Sequence, residues 1–452
     1  MKKKTLTLKE SILVASTLFG MFFGAGNLIF PVHLGQMAGS NSWPAIIGFI
    51  VTAVSIPILG VAAIGNTHSE NMLEMSSKVS RWYGVLFTTL LYLTIGPFFA
   101  IPRCATTSFT TGLAAMLPES THTIAQLIFT AVFFAIVLIC SWKPKNITLY
   151  IGKIINPVFL VFLAILVIAA LLNPTANMAD VAPIESYESG AFFNGFIEGY
   201  GTMDAIAGLA FGIVIIDVVR GLGIEEDDAV AKATIKSGVL TAILMGLIYA
   251  LTIIMGAQSR GAFEVSENGG IALAEISNHY FGTLGNIILA LTVTFACLKT
   301  AIGLVTSCSE MFVKMFHRPF NYRGWVLVFS VFSFAVSNVG LTAIINYSLP
   351  VLMLLYPLTI SIIAVALSEK AFGKSKYVYI WVTIGAAIAA IFDFLKTMPE
   401  GFQNALNIPA LTEKISGLLP FFDLGLGWVV PALVGFVIGL ILHFAKDKKV
   451  AA

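Results

Sequence analysis

Apolar residues in this chain come in runs of about twenty with almost no ionised side chain inside them, the length a helix needs to cross roughly 30 Å of hydrocarbon. Twelve such spans can be marked: 11–37, 43–65, 84–112, 123–142, 147–172, 191–219, 235–257, 284–312, 324–346, 349–367, 377–396 and 427–445. Short polar connections separate them, and no long linker or low-complexity tract interrupts the series. Two connections, 267–282 and 399–422, mix apolar and polar positions at helical spacing, so short helices lying over one end of the bundle are expected there. The pattern predicts an all-α integral membrane protein of about twelve transmembrane helices.

Composition strengthens this. Of 452 residues, 58% are hydrophobic and 11% charged, where a soluble domain carries roughly 25% charged residues. The net charge of +2 implies no nucleic-acid partner, because the basic residues are spread over short loops. Their placement carries more information than their sum. If the N-terminus lies inside, most of the 26 Lys and Arg fall in loops on that side, among them Lys2–Lys4, Lys78, Arg81, Lys143, Lys145, Lys232, Lys314, Lys370 and Lys446. The opposite loops hold Arg260, Lys396 and Lys414. Such a bias predicts both termini in the cytoplasm and an even number of spans. Met1-Lys2-Lys3-Lys4 resembles the start of a signal peptide, but no small-residue cleavage site follows, so span 1 is expected to be retained. Cys104, Cys140, Cys297 and Cys308 lie in apolar stretches and read as packing residues.

Two spans are interrupted. Span 1 contains Phe22-Phe23-Gly24-Ala25-Gly26-Asn27, with Pro31 soon after, and span 6 contains Gly199-Tyr200-Gly201-Thr202-Met203-Asp204. Glycine weakens a helix by about 1 kcal/mol relative to alanine. Backbone opened at mid-depth must line a cavity within the protein, since lipid cannot pair it. The other use of such glycines is close helix packing. The two breaks lie five spans apart, which fits a plan used by secondary transporters. There, inverted five-helix repeats each open with a broken helix whose half-helix ends face substrate and coupling ion. That plan divides the chain into an N-terminal segment 1–10, a first repeat 11–172, an inverted second repeat 191–367, two further spans within 377–445, and a tail 446–452.

Ionised groups at mid-span cost at least about 2.5 kcal/mol and are functional by default. Glu198 and Asp204 flank the second break, Arg103 lies in span 3 and Lys299 in the middle of span 8. Arg103 and Glu198 are expected to pair between spans 3 and 6. Asp393 is expected to pair with Lys396, three residues on. Lys299 is too far from either end of its span to snorkel, so it should face protein or a polar cavity. The chain lacks a GxxxxGK[ST] phosphate loop, and its six histidines have no metal-ligand spacing. No enzyme activity, cofactor, metal or ATPase partner is therefore expected. A channel would need a continuous polar face, and a sensor would need an output domain. Residue chemistry alone stops at a carrier of a small, apolar zwitterion.

Phe19-Gly20-Met21-Phe22-Phe23-Gly24-Ala25-Gly26-Asn27-Leu28-Ile29-Phe30-Pro31, with Ile95-Gly96-Pro97-Phe98-Phe99-Ala100-Ile101-Pro102-Arg103, resembles the bacterial branched-chain amino acid:cation symporters. These belong to the superfamily with the leucine-transporter fold, and the resemblance spans essentially the whole chain. It implies uptake of leucine, isoleucine and valine across the cytoplasmic membrane by symport with H+ or Na+ and alternating access. The alternatives are a carrier of another small amino acid, an exchanger or a uniporter. Gly26, Asn27, Phe30 and Pro31 match the Gly-Asn-x-x-Phe-Pro pattern of sodium-coupled members. The resemblance thus implies that Phe23, Gly24, Ala25, Gly26 and Asn27 bind the substrate's carboxylate and amino group, with Tyr200, Gly201, Thr202 and Asp204 completing the site. Those members often place two adjacent hydroxyl residues on span 8 for sodium, but here Ala296-Cys297-Leu298-Lys299-Thr300 puts a lysine where the first would be. Lys299, with Thr300 and Phe22, is expected at the coupling-ion position, its ammonium standing in for sodium. The simpler alternative is a lysine–carboxylate pair with sodium bound nearby.

Overall fold

The computed structural model describes residues 5–67, 69, 71–142, 147–316, 318 and 320–450, with side chains for all of these except 147–159, 213, 227 and 446–450. Residues Met1–Lys4, Lys143 and Lys145, and the side chains of Lys153, Lys446, Lys448 and Lys449, lie outside the described set.

Every regular element among the described residues is a helix. Span 1 forms α1 (Leu8–Phe22) and α2 (Ala25–Ala38). Span 2 forms α3 (Ser42–Ile50) and α4 (Ile56–Asn66), joined through a π turn at Val51–Ser55. After the short α5 (Met72–Ser77), span 3 forms α6 (Arg81–Leu93) and α7 (Ala100–Thr111). Spans 4 and 5 are α8 (His122–Ser141) and α9 (Ile147–Leu172), and the turn α10 (Glu185–Glu188) leads into span 6. That span is divided into α11 (Ala191–Glu198) and α12 (Asp204–Gly221). Then follow α13 (Asp227–Ser259), α14 (Gly269–Met315), α15 (Tyr322–Ser337), α16 (Leu341–Phe372) and α17 (Lys376–Lys396). The short α18 (Glu400–Ala405) and α19 (Ile408–Ser416) precede α20 (Val429–Val450).

Local sequence accounts for several boundaries. Thr7 caps α1 reciprocally with Glu10, whose backbone N–H donates to the Thr7 hydroxyl while its carboxylate accepts from the Thr7 N–H at 2.9 Å. The amphipathic connections are helical as expected. Residues 269–281 run into span 8 across a kink at Gly282 (φ 60°), and 399–422 contains α18 and α19. Span 3, which reads as continuous from the sequence, is in fact broken at Thr94–Phe98, where Gly96 is non-helical (φ −93°, ψ −127°) and Pro97 has no N–H to continue the ladder.

Seven helical segments among the described residues are long and apolar enough to cross a membrane, and Leu160–Leu172, Tyr322–Ser337 and Val429–Ala445 are shorter apolar helices. Large apolar side chains stand exposed along α8, α9, α13, α15 and α20, including Ile139, Leu172, Leu247, Val331 and Ile441. A soluble protein would not display so much apolar surface; in a bilayer it faces lipid. Polar residues are drawn inward on α2, α7, the turn before α12 and the start of α12, where Asn27, Arg103, Thr106, Thr202 and Asp204 are buried.

The expected local pair of Asp393 with Lys396 does not form. Lys396 instead donates to Asp423 at 3.2 Å and to the Phe422 carbonyl at 3.4 Å, both in the loop before α20. The long lysine stem reaches partly exposed oxygens there, and Asp393 stays behind in the packed interior.

Candidate functional site

The two interruptions meet. At the first, α1 stops at Phe22, Phe23 is extended (φ −72°, ψ 101°) and Gly24 starts α2. The Gly24 N–H donates to the Asn27 Oδ1 at 2.9 Å, a side-chain cap that holds the new helix end open. At the second, α11 gives way to a 3-10 turn over Gly199–Thr202, and Met203 adopts a left-handed conformation (φ 64°, ψ 11°) before α12 starts at Asp204. A non-glycine residue held there is strained by roughly 1–3 kcal/mol, a cost typical of functional sites.

Side chains tie the breaks together. The Asn27 Nδ2 donates to Asp204 Oδ2 and to the Tyr249 hydroxyl, which itself donates to Asp204 at 3.4 Å. Arg103, 3% exposed, donates from Nη1 to the Gly201 carbonyl at 2.6 Å and from Nη2 to the Thr202 carbonyl at 3.4 Å. Its guanidinium lies over the Phe30 ring, 5.2 Å from the centroid. The expected Arg103–Glu198 ion pair is absent among the described residues: the unwound carbonyls of the second break are the nearer acceptors, and Glu198 belongs to the helix before it. Glycines make the close approach possible. A Cβ on Gly26 would stand 2.7 Å from Arg103 Nη2, and one on Gly201 would stand 2.5 Å from the Phe30 ring.

Lys299 reaches the other half-helix end. Its Nζ donates to the Gly20 carbonyl at 3.1 Å. Gly20 lies in the last turn of α1, where carbonyls have no partner within the helix and a cation is favoured by the helix dipole. Thr300 turns its hydroxyl back to the Ala296 carbonyl at 3.1 Å, and its methyl group would meet a Cβ on Gly24 at 3.3 Å.

Between the breaks is a cavity of about 40 Å³, room for two to four waters at roughly 10–15 Å³ each. Of the residues singled out from the sequence, Phe22, Gly24, Ala25, Gly26, Asn27, Arg103, Thr202, Asp204 and Thr300 line it. Phe23 instead stacks between Phe19 and Tyr249, and Tyr200 stacks on Tyr356 with centroids 4.0 Å apart, away from the cavity. Gly201 contributes its carbonyl to Arg103, and Lys299 lines a second cavity of about 270 Å³ together with Gly20, Ser307 and Glu310. The two cavities share Met21, Phe211, Thr300 and Leu304 as walls.

An apolar pocket built from Phe and Met of spans 3, 6 and 8 is what a branched side chain needs, though the motifs do not say which residues; the wall here is Met21, Ile95, Ala207, Phe211 and Leu304, of which Phe211 is in span 6 and Met21 in span 1. Part of it was detectable: Ala207 and Phe211 follow Asp204 at i+3 and i+7, and Leu304 follows Thr300 at i+4, so each pair shares a helix face. Tyr249, in mid-α13, carried no such signal.

The second cavity leads toward the end of the bundle where α1 begins and α14 ends. On the other side α2 packs backbone to backbone on α13 and the start of α14: a Cβ on Gly35, Gly256 or Gly269 would overlap the carbonyl oxygens of Ile253, Val32 or Ile29. Gln36, fully buried, bonds this side shut. It donates to the Ser259 hydroxyl at 3.3 Å and accepts from the Ser266 N–H at 3.1 Å and, through its carbonyl, from Arg260 at 3.0 Å.

A lipid-facing helical shell thus surrounds a site built from two interrupted helices, and solved structures share this fold. The chain superposes on the inward-facing conformation of Mhp1 with a TM-score of 0.60 at 14% identity, covering 98% of this chain and 90% of that one. On MhsT in complex with L-phenylalanine the TM-score is 0.58 at 16% identity, covering 88% of this chain and all of that one. The chain belongs to the branched-chain amino acid transport protein family, whose model matches residues 7–446. It is 48% identical to the branched-chain amino acid permease BrnQ of Lactobacillus delbrueckii subsp. lactis, over 99% of this chain and 100% of that one. It is 38% identical to BrnQ of Bacillus subtilis (strain 168), over 98% of this chain and 99% of that one. It is a transport protein and not an enzyme.

Proposed function

We propose that this protein imports leucine, isoleucine and valine across the cytoplasmic membrane by symport with H+ or Na+, through alternating access to the cavity between the breaks. The observation that carries the reading is the meeting of two half-helix ends of opposite sign beside an apolar wall. Ala25 and Gly26 open α2, whose first N–H groups suit a carboxylate. The last carbonyls of α1 suit an ammonium. Met21, Ile95, Phe211 and Leu304 offer a branched aliphatic side chain somewhere to leave water. The permease names of the relatives support the same substrate class.

In this reading the described state faces inward: the open cavity leads to the cytoplasm, both termini lie there, and the Gln36 network closes the outer side. Spans 1, 2, 6 and 7, the first two of the first repeat (11–172) and of its inverted counterpart (191–367), rock against the rest to exchange the two. Lys299, with its ammonium on the Gly20 carbonyl, takes the place of a sodium ion bound to the end of α1.

Uptake of labelled isoleucine into liposomes containing only this protein tests the reading, with proton and sodium gradients imposed separately. Accumulation above equilibrium with one gradient is expected. Equilibration without accumulation would leave an exchanger or uniporter, and no uptake of any branched-chain amino acid would overturn the substrate assignment.

A further inference from the structure

A second buried carboxylate lies outside the cavity. Asp393, near the end of α17, is 0% exposed, and neither of its oxygens has a hydrogen-bond partner among the described residues. Tyr200, in the break before α12, stands close enough for the two groups' charges to interact, and its hydroxyl approaches the indole of Trp428. Tyr200 Oη and Trp428 Nε1 are also buried without a hydrogen-bond partner. Three buried, unpartnered polar groups thus come from α17, the second break and the turn before α20.

Few other charges face Asp393. α16 brings Tyr356, stacked on Tyr200, while Glu369 at its far end is held by Lys78 at 2.9 Å. α19 carries Glu413 and Lys414, both exposed, and the first turn of α20 carries no charge. On α17 itself the Lys396 ammonium is near enough for its charge to act on Asp393, but it donates to Asp423 at 3.2 Å and to the Phe422 carbonyl at 3.4 Å. Asp423 is exposed and also accepts from the Ser416 hydroxyl at 2.6 Å.

An ionised carboxylate buried with no hydrogen bond made to it costs several kcal/mol, and the neutral acid avoids most of that. A metal cation fits poorly, because the indole N–H beside it is a donor only. The geometry points to Asp393 as a proton-binding site outside the substrate cavity, occupied while Lys396 donates to Asp423 and emptied when Lys396 donates to Asp393 instead. Lys396 lies three residues on, on the same face of α17, so its ammonium can replace the proton's charge without moving the helix. Through Tyr200, the site adjoins the break that Arg103 holds from the other side. Its part in coupling rests on the import reading; proton binding itself does not.

The infrared C=O stretch of protonated carboxylic acid, followed through a pH titration of the purified full-length protein, tests this directly. A band is expected at neutral pH that Asp393→Asn removes. Asp423→Asn, an exposed substitution, removes the carboxylate that competes for Lys396 and leaves it only the Phe422 carbonyl, so the band's midpoint is expected to move to lower pH by roughly one to three units, the shift an adjacent cation brings. Identical spectra for wild type and folded Asp393→Asn would overturn the proposal. So would an unmoved midpoint in Asp423→Asn, which decides the matter if Asp393→Asn does not fold. Loss of the band on adding sodium at constant pH would make this a metal-cation site and equally overturn it. None of these readings needs transport, so failure of the import reading would be seen separately, in the liposome experiment.

Discussion

The Nη1 of Arg103 donates to the carbonyl oxygen of Gly201 at 2.6 Å, so a cation from α7 holds open the unwound backbone between α11 and α12. Nη2 reaches the next carbonyl, that of Thr202, and the fork geometry of a guanidinium is what allows one side chain to serve both. Arg103→Lys keeps the charge and loses the fork. Hydrogen bonds to charged groups contribute about 1.5–3 kcal/mol each, so substrate uptake is expected to fall at least about tenfold, with a lowered Tm. Uptake at wild-type rates in Arg103→Lys would show that charge alone suffices.

Gly26 faces Arg103 and the Thr202 backbone, with an added Cβ at 2.7 Å from Nη2 and 3.2 Å from Cα. Gly26→Ala must push the two breaks apart, and overpacking of this kind costs about 1–3 kcal/mol. Binding of isoleucine, read by ligand-induced thermal stabilisation, is expected to be lost in Gly26→Ala.

Gln36 joins α2 to the loop between α13 and α14 through both its side chain and its carbonyl. Gln36→Ala removes the side-chain bonds and should release the closed side. A cysteine placed at Ser266 is expected to react with a membrane-impermeant thiol reagent faster in the Gln36→Ala background than without it. Equal rates would mean that backbone packing alone, at Gly35, Gly256 and Gly269, holds that side shut.

Lys299→Met keeps the apolar stem and removes the ammonium, leaving the Gly20 carbonyl without its donor. If the ammonium replaces a sodium ion, gradient-driven accumulation in this variant should fall about tenfold or become sodium-dependent, while the protein still elutes as a folded species. An unchanged dependence on pH and on sodium would remove Lys299 from coupling.

What the sequence determined follows from local rules. Runs of apolar residues must satisfy their backbone internally and so become helices, and glycine with a polar neighbour at mid-span marks where a helix can open; Gly24–Asn27 and Gly199–Asp204 were legible for that reason. The break at Gly96 was equally local, since Pro97 cannot continue the helix, and it passed unnoticed because its neighbours are apolar. Partners across helices were another matter. Arg103 takes the Gly201 carbonyl and not Glu198, and Lys396 takes Asp423 and not Asp393. Tyr249 closes on Asn27 from a helix that gives no sign of it. Each choice depends on which oxygen stands within about 3 Å once the helices have packed, a distance set by where glycines let backbones approach. Only the tertiary structure decided that.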